Sequence, residues 1–195
     1  MRLALGAARF YVPMFIVQFL SWGAMFALWV FALPHIRTAL SVDEPEAIMW
    51  MGIGLAIVAG LGAVWNIAVL ARSYNDFSKA YTHSIFLFCG ALGLLCIAEA
   101  HSNWSLLFGY FGLSIGWASI SNTPYAMVTA RVKDGEYERT MARFSFSVVI
   151  PQVLVALSLG RIIAQVSPKM ALDIGGGAML IAAFIMLLIG RFHRD

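Results

Sequence analysis

Amide, hydroxyl and indole side chains recur in three long apolar stretches of this sequence, where they could bind a solute through hydrogen bonds and ring contacts. A polar side chain in hydrocarbon is costly unless it faces a partner or a cavity, so these residues are functional candidates. The serines could instead bond back to their own helix, and the indoles could simply fill the core. The candidates for a solute path are Gln18, Trp22, Trp29, Ser119, Asn122, Tyr125, Ser145 and Gln152.

Two prolines, Pro124 and Pro151, accompany these candidates. A proline has no N–H, so within a helix it frees the carbonyl one turn earlier and kinks the helix. Kinked helices at corresponding depth often border a transport cavity, although membrane helices also tolerate prolines that have no such role. The cluster of polar residues over 119–125 is the strongest candidate region.

No set of residues in the sequence predicts an enzyme, a cofactor or a metal site. There is no P-loop, no nucleotide-binding glycine motif and no nucleophile elbow. No basic cluster interleaved with aromatic residues indicates a nucleic-acid surface. The histidines lie near the ends of apolar stretches without other ligands at metal-binding spacing, so we predict solvated or interfacial roles for them. They are His35, His83, His101 and His193.

The elements that carry these residues are apolar windows long enough to cross a bilayer. Hydrophobic residues make up 61% of the 195 positions and charged residues only 12%, with a mean hydropathy of +0.83. A soluble domain carries about a quarter charged residues. Backbone groups in hydrocarbon must be satisfied internally, so the windows predict helices. We expect one all-α integral membrane domain over residues 1–195. Its six transmembrane helices are predicted at 10–33, 47–70, 81–98, 104–127, 144–164 and 171–190.

The basic residues predict how the chain is oriented. Lys and Arg accumulate in cytoplasmic loops. Ten basic residues lie before the first window, after the last one, and in the second and fourth connections. The alternate connections, 37–46, 99–103 and 165–169, hold only Arg37 and Lys169. Both termini should therefore be cytoplasmic, with the protein in the cell (inner) membrane.

Two matching windows indicate internal symmetry. The first and the fourth each contain a tryptophan followed by a proline, Trp29 with Pro34 and Trp117 with Pro124. This fits three helices followed by three more in an inverted repeat. Small residues in the second window, from Gly52 to Gly62, predict close helix packing there.

Several local patterns together resemble one family. These are QFLSW at 18–22 with Trp29 and Pro34, GWASI at 116–120 with PYAM at 124–127, and VIPQ at 149–152. They are similar to the seventh, tenth and eleventh helices of sucrose-transporter-like sugar:cation symporters of the major facilitator superfamily. The resemblance implies half of a major facilitator fold. It also implies a disaccharide or related glycoside as substrate, moved together with a proton by alternating access.

The resemblance covers nearly the whole chain but only the carboxy-terminal six of the family's twelve helices. It therefore implies a half-size transporter that needs a partner besides the lipid bilayer: a second copy, a separate amino-terminal half, or a larger complex. The alternative is a non-transporting structural subunit of a membrane complex. Two features favour the alternative: no acidic residue lies at mid-membrane, and residues 138–145 read ERTMARFS where relatives carry a glycine-rich gate sequence.

Overall fold

The chain folds entirely into helices over the residues that the computed structural model describes, 2–72, 76–132, 135–162 and 167–192. Side chains are described over 10–72, 78–132, 135–157 and 167–191. The helices are α1 (Arg2–Leu40), α2 (Glu44–Ala68), α3 (Asp76–Ala98), α4 (Asn103–Ile120), α5 (Thr123–Thr129), α6 (Tyr137–Ile162) and α7 (Pro168–Phe192). A short 3₁₀ turn, Leu70–Arg72, follows α2.

Five of these helices are long and apolar enough to cross a membrane. The fourth predicted span, 104–127, was expected as one helix, and this expectation is wrong. It is divided into α4 and α5, with Ser121 and Asn122 between them. The break has a physical cause: Pro124 cannot donate to the preceding turn, and Ser and Asn side chains compete for backbone partners. The polar residues 119–125 therefore lie at a helix break rather than on a kinked helix.

The first helix extends beyond its predicted end at residue 33. It continues through Pro34 to Leu40, because Ile36 is fully buried and Leu40 packs against the core. It ends at Leu40, and the next residue, Ser41, has a φ of 55°, in the left-handed region. Asp43 then caps α2 by accepting a hydrogen bond from the backbone N–H of Glu46. The predicted connection over 37–46 is thus reduced to residues 41–43.

The helices pack in an order that two-fold symmetry explains. The main packing pairs are α6 with α1, α1 with α7, α7 with α3, α3 with α4, and α4 with α2. Exchanging α1 with α4–α5, α2 with α6, and α3 with α7 leaves this set of pairs unchanged. An inverted repeat of three plus three helices requires this pattern. The outermost helices, α2 and α6, bury only 17% of their most apolar segments.

Glycines bring α3 and α4 into backbone contact. A Cβ atom on Gly93 would lie 2.3 Å from the backbone nitrogen of Leu113, and one on Gly90 would lie 2.9 Å from the Cα of Gly116. Such distances leave no room for a side chain. Small residues let membrane helices approach this closely, so α3 and α4 form a tightly packed pair.

The small residues of α2 behave differently from one another. Gly54 and Gly62 face α4, where added Cβ atoms would meet Tyr110 and Trp117. Gly52 and Gly60 have nothing within 4 Å of such an atom. Close packing was predicted for this whole segment, but only one face of the helix provides it.

Candidate functional site

The break between α4 and α5 depends on a side chain from another helix. In a continuous helix the N–H of residue 124 would donate to the carbonyl of Ile120, but Pro124 has no N–H. The Nε2 atom of Gln18, on α1, lies 3.4 Å from the Ile120 oxygen and donates to it. Gln18 is fully buried. The sequence singled out both Gln18 and Pro124, and the structure joins them at one carbonyl.

A pair of asparagines holds the other side of the break. The Nδ2 atom of Asn122 lies 3.0 Å from Asn66 Oδ1 on α2, 3.0 Å from Ser121 Oγ and 3.4 Å from the Ala118 oxygen. Asn66 in turn donates from Nδ2 to the carbonyl of Gly62 at 3.1 Å. Since Asn122 Nδ2 faces three oxygens, the hydrogen bonds define which way its carboxamide points.

Histidine 83, on α3, is part of the same region. Its Nδ1 lies 2.9 Å from the Oγ of Ser119, which itself lies 3.1 Å from the carbonyl oxygen of Gly116. The serine hydroxyl donates to that carbonyl, so Nδ1 carries the proton and donates to Ser119. The Nε2 atom is buried without a hydrogen-bond partner among the described residues.

The predicted solvated or interfacial role is therefore wrong for two histidines. His83 is fully buried, and His35 is only 4% exposed, with its Nε2 2.8 Å from the Ile97 oxygen. The reason is helix packing: α3 meets α4 around Ser119, and α1 runs on past the end of α3. His101 is exposed, as expected, and His193 lies outside the described residues.

An aromatic cluster forms between α1 and α4, and its first ring, Trp22, lies one helical turn after Gln18. Trp22 and Trp29 contact each other edge to face, with centroids 6.1 Å apart, and both contact Trp117 of α4 at 5.6 and 5.9 Å. Phe26 completes the cluster. Trp22 and Trp29 are half-buried, so the rings pack on one another and still present part of their surface.

Gln18 and Trp22 each leave one buried polar atom unused. Gln18 Oε1 and Trp22 Nε1 have no hydrogen-bond partner in the part of the chain that the structure describes. They are an acceptor and a donor four residues apart, and therefore on one face of α1. Buried polar atoms are normally bonded, so this unpaired donor and acceptor suit a polar ligand or water.

Neither of the two path candidates on α6, Ser145 and Gln152, joins this region. Ser145 donates to the carbonyl of Met141 on its own helix, and Gln152 is exposed. Tyr125, on α5, packs edge to face on Phe144 of α6 at 5.3 Å. Pro151 lies within continuous α6. It packs against Gly23 of α1, where an added Cβ would lie 3.6 Å from the proline Cβ.

A cavity of 480 Å³ opens beside the break, and we call it the Asn66–Asn122 cavity. It lies between the end of α2, the start of α3 and α5. Its volume is typical of small-molecule sites. It is lined by Asn66, Ile67, Leu70, Ala71, Lys79, Asn122, Thr123 and Ala126.

Sequence reasoning missed His83, Asn66 and Lys79 as site residues. Asn66 lies inside the second predicted span, and its polarity there was the available signal. His83 and Lys79 lie at the edge of the third window, where hydropathy alone predicts a position at the membrane–water interface. Over the described residues, no group of three or more His, Cys, Asp or Glu side chains is placed to hold a metal ion.

No protein-family model matches this sequence, and no curated protein matches it. Among solved structures, the chain is similar to an auto-inhibited peptide transporter of the POT family, with a TM-score of 0.70 at 14% sequence identity. The similarity covers 95% of this chain and 37% of that chain, so this chain spans little more than a third of the transporter's length.

This likeness, together with the packing order of the helices, confirms the predicted fold class. The chain has an all-α fold like that of one half of a major facilitator transporter, with its helices in an inverted repeat. The likeness shows the fold alone, and it does not support the sucrose-transporter branch. At 14% identity the likeness does not identify a solute, so the solute class is inferred from the residues of the site.

Proposed function

We propose that this chain is one half of a secondary transporter, rather than an enzyme, and that it moves a small polar solute together with a second half. The observation that carries the proposal is the break at Ser121 and Asn122, with Gln18 supplying the hydrogen bond that Ile120 lacks. Non-helical backbone at membrane depth is tolerated where protein buries it or a cavity adjoins it. Transporters build their substrate sites from such interrupted helices.

The unpaired atoms of α1 are buried in this structure, and they would supply the binding chemistry once alternating access exposes them. Gln18 Oε1 can accept and Trp22 Nε1 can donate, and the partly exposed rings of Trp22 and Trp29 offer an apolar surface beside them. Hydroxyl-rich solutes use this combination of hydrogen bonds and ring contacts. The resemblance in the sequence makes a sugar or glycoside the first solute class, moved with a cation. Since the structural neighbour is described as a peptide transporter, a short peptide is the second class to test.

A second half is proposed because the described residues leave much of the surface of the two outer helices uncovered. Both α2 and α6 are largely uncovered, and Phe146, Val149 and Val153 of α6 are each at least 46% exposed. The structural neighbour is also much longer than this fold. A second copy of this chain, a separate half or a larger complex would cover these helices, with lipid around the rest.

The proposed setting is the cell's inner membrane with both termini in the cytoplasm. The start of α1 and the end of α7 lie at one end of the bundle, because five of the six connections reverse the chain and the break between α4 and α5 does not. The exposed cations Arg72, Arg139 and Arg143 lie at that end. Labelling single cysteines introduced at Arg139 and at Ser41 from outside intact cells tests this. Labelling at Ser41 alone supports the orientation, and labelling at Arg139 alone refutes it.

Solute counterflow in proteoliposomes tests the transport proposal. Vesicles containing the purified complex, preloaded with unlabelled sucrose or dialanine, should accumulate the matching radiolabelled solute without an ion gradient. Gln18→Ala should reduce accumulation by about tenfold or more, because a buried hydrogen bond is lost at the break. Ser114→Ala is the matched control, since that hydroxyl bonds only within its own helix, to Phe111. No accumulation of either solute above empty vesicles would refute the proposal.

A non-transporting structural subunit is the second candidate function, and one observation favours it. Gly52 and Gly60 form open positions on the uncovered face of α2, as a helix contact surface would require. In that case the purified particle would contain unrelated subunits in fixed ratio. Gly60→Leu would release the chain from them.

A further inference from the structure

The Asn66–Asn122 cavity carries a positive charge that nothing described in the chain neutralises. Lys79, at the start of α3, lines the cavity and is half-buried. In the part of the chain that the structure describes, no carboxylate forms an ion pair with it. By contrast, Arg37 pairs with Glu44. Lys169 pairs with both Glu99 and Asp173.

Hydrogen-bond donors are also in excess in this cavity. Asn66 uses one Nδ2 hydrogen on the Gly62 carbonyl, and its Oδ1 is occupied by Asn122. A carboxamide nitrogen carries two hydrogens, so one Asn66 N–H remains. The Thr123 hydroxyl adds another donor. Together with the three hydrogens of the Lys79 ammonium, the cavity offers more donors than acceptors.

The rest of the lining is apolar. Ile67, Leu70, Ala71 and Ala126 surround the polar groups, and Ile67 is 75% exposed. The volume of 480 Å³ exceeds what a free inorganic anion fills. The cavity therefore accommodates a charged group together with an apolar or neutral remainder.

We propose that the Asn66–Asn122 cavity binds an oxyanion, a carboxylate or phosphate carried by a small molecule or by a lipid headgroup, with Lys79 as its counter-ion. The carboxamide of Asn66 and the hydroxyl of Thr123 donate to the oxyanion's remaining oxygens, since charge-assisted hydrogen bonds are the strong ones. The site lies against the break, so an oxyanion bound there contacts both α2 and α5. It does not depend on the chain being a transporter.

Equilibrium binding tests this site without any flux measurement, so its failure is distinguishable from a failure of transport. The chain is placed in nanodiscs of phosphatidylcholine at fixed ionic strength and titrated calorimetrically. The probes are inorganic phosphate and a water-soluble short-chain phosphatidylglycerol, and short-chain phosphatidylcholine is the neutral control. Binding of phosphate identifies a soluble source for the oxyanion. Binding of phosphatidylglycerol alone identifies a lipid source.

The variants separate a specific site from general surface charge. Lys79→Gln should weaken binding by about tenfold, whereas Lys79→Arg, which keeps the charge, should change it by less than about threefold. Arg72→Gln is the matched control, because Arg72 is an exposed cation close in sequence that does not line the cavity. Thr123→Val removes one donor at similar volume and should weaken binding measurably even if Lys79→Gln fails to fold. The proposal is overturned if neither oxyanion binds, or if Arg72→Gln weakens binding as much as Lys79→Gln.

Discussion

Gln18 and Ile120 are joined by a hydrogen bond of 3.4 Å that replaces one the helix cannot make. The carbonyl of Ile120 would belong to the helical ladder if residue 124 had an N–H, and Pro124 removes it. The replacement comes from α1, far away in the chain. The stability of the break is therefore coupled to the packing of α1 on α4 and α5.

This coupling predicts a non-additive pair of substitutions. Gln18→Leu should lower the free energy of unfolding in detergent by about 1–3 kcal/mol, because the buried Ile120 oxygen loses its donor. Pro124→Ala restores an N–H four residues after Ile120. In the Pro124→Ala background, Gln18→Leu should therefore cost clearly less, as a double-mutant cycle can measure. Equal costs in both backgrounds would show that Gln18 does not act through this carbonyl.

The contact between His83 and Ser119 predicts a difference between two serines of α4. Ser119→Ala should lower the free energy of unfolding by about 1–3 kcal/mol, since it leaves Nδ1 of His83 buried without an acceptor. Ser114→Ala should have a much smaller effect, because Ser114 bonds only to its own helix. Thermal unfolding followed by circular dichroism compares them. Equal losses would mean that the hydrogen bond with His83 contributes nothing measurable.

The backbone contact between α3 and α4 predicts which glycines tolerate a methyl group. Gly93→Ala should destabilise the fold by about 1–3 kcal/mol, because the added Cβ would meet the backbone of Leu113 and the helices must move apart. Gly177→Ala, on α7, is the matched control, with nothing within 4 Å of its added Cβ. Chemical unfolding in detergent measures both. Similar stability of the two variants would refute the close approach.

Acid conditions should weaken one pair at the end of the bundle. Lys169 donates to the Glu99 carboxylate, which holds the pKa of Glu99 below its ordinary value. Because the folded-state pKa is the lower one, this pair stabilises the fold above the unfolded pKa, about 4.3, and its contribution is lost as the pH falls through the folded pKa. The effect is small, since the pair is exposed to solvent.

Glu99→Gln tests this pair directly. The variant should be slightly less stable than the wild type near neutral pH, and the difference should shrink as the pH falls below about 4. Glu138→Gln, an exposed carboxylate at the other end of the bundle, controls for the change in net charge. A difference that grows with acidification would contradict the sign of the shift.

The sequence predicted the helical class and the approximate positions of the helices because hydropathy is a local property of the chain. It also predicted that Gln18, Pro124 and Asn122 belong to a site, since polarity inside an apolar window is visible locally. It could not predict the break between α4 and α5 from Pro124, because another proline, Pro151, lies inside α6 and leaves that helix continuous. The bond from Gln18 to the Ile120 carbonyl comes from another helix, so the sequence around Pro124 does not show it.

The remaining differences have the same origin. His83 and His35 lie near window edges, and only the packing of neighbouring helices makes them buried. The close approach at Gly90 and Gly93 required knowing that α3 meets α4, whereas the small residues of α2 were the more visible pattern. Ser145 resembled a path residue because of its type, and its hydroxyl is used within its own helix.

We propose that this fold works as half of a larger membrane unit, and native mass spectrometry of the gently extracted particle tests the proposal. We expect a particle containing two transporter halves, either two copies of this chain or one copy with a second half of the same kind. A particle that contains the chain as a lone monomer, or only alongside unrelated subunits, would contradict the claim.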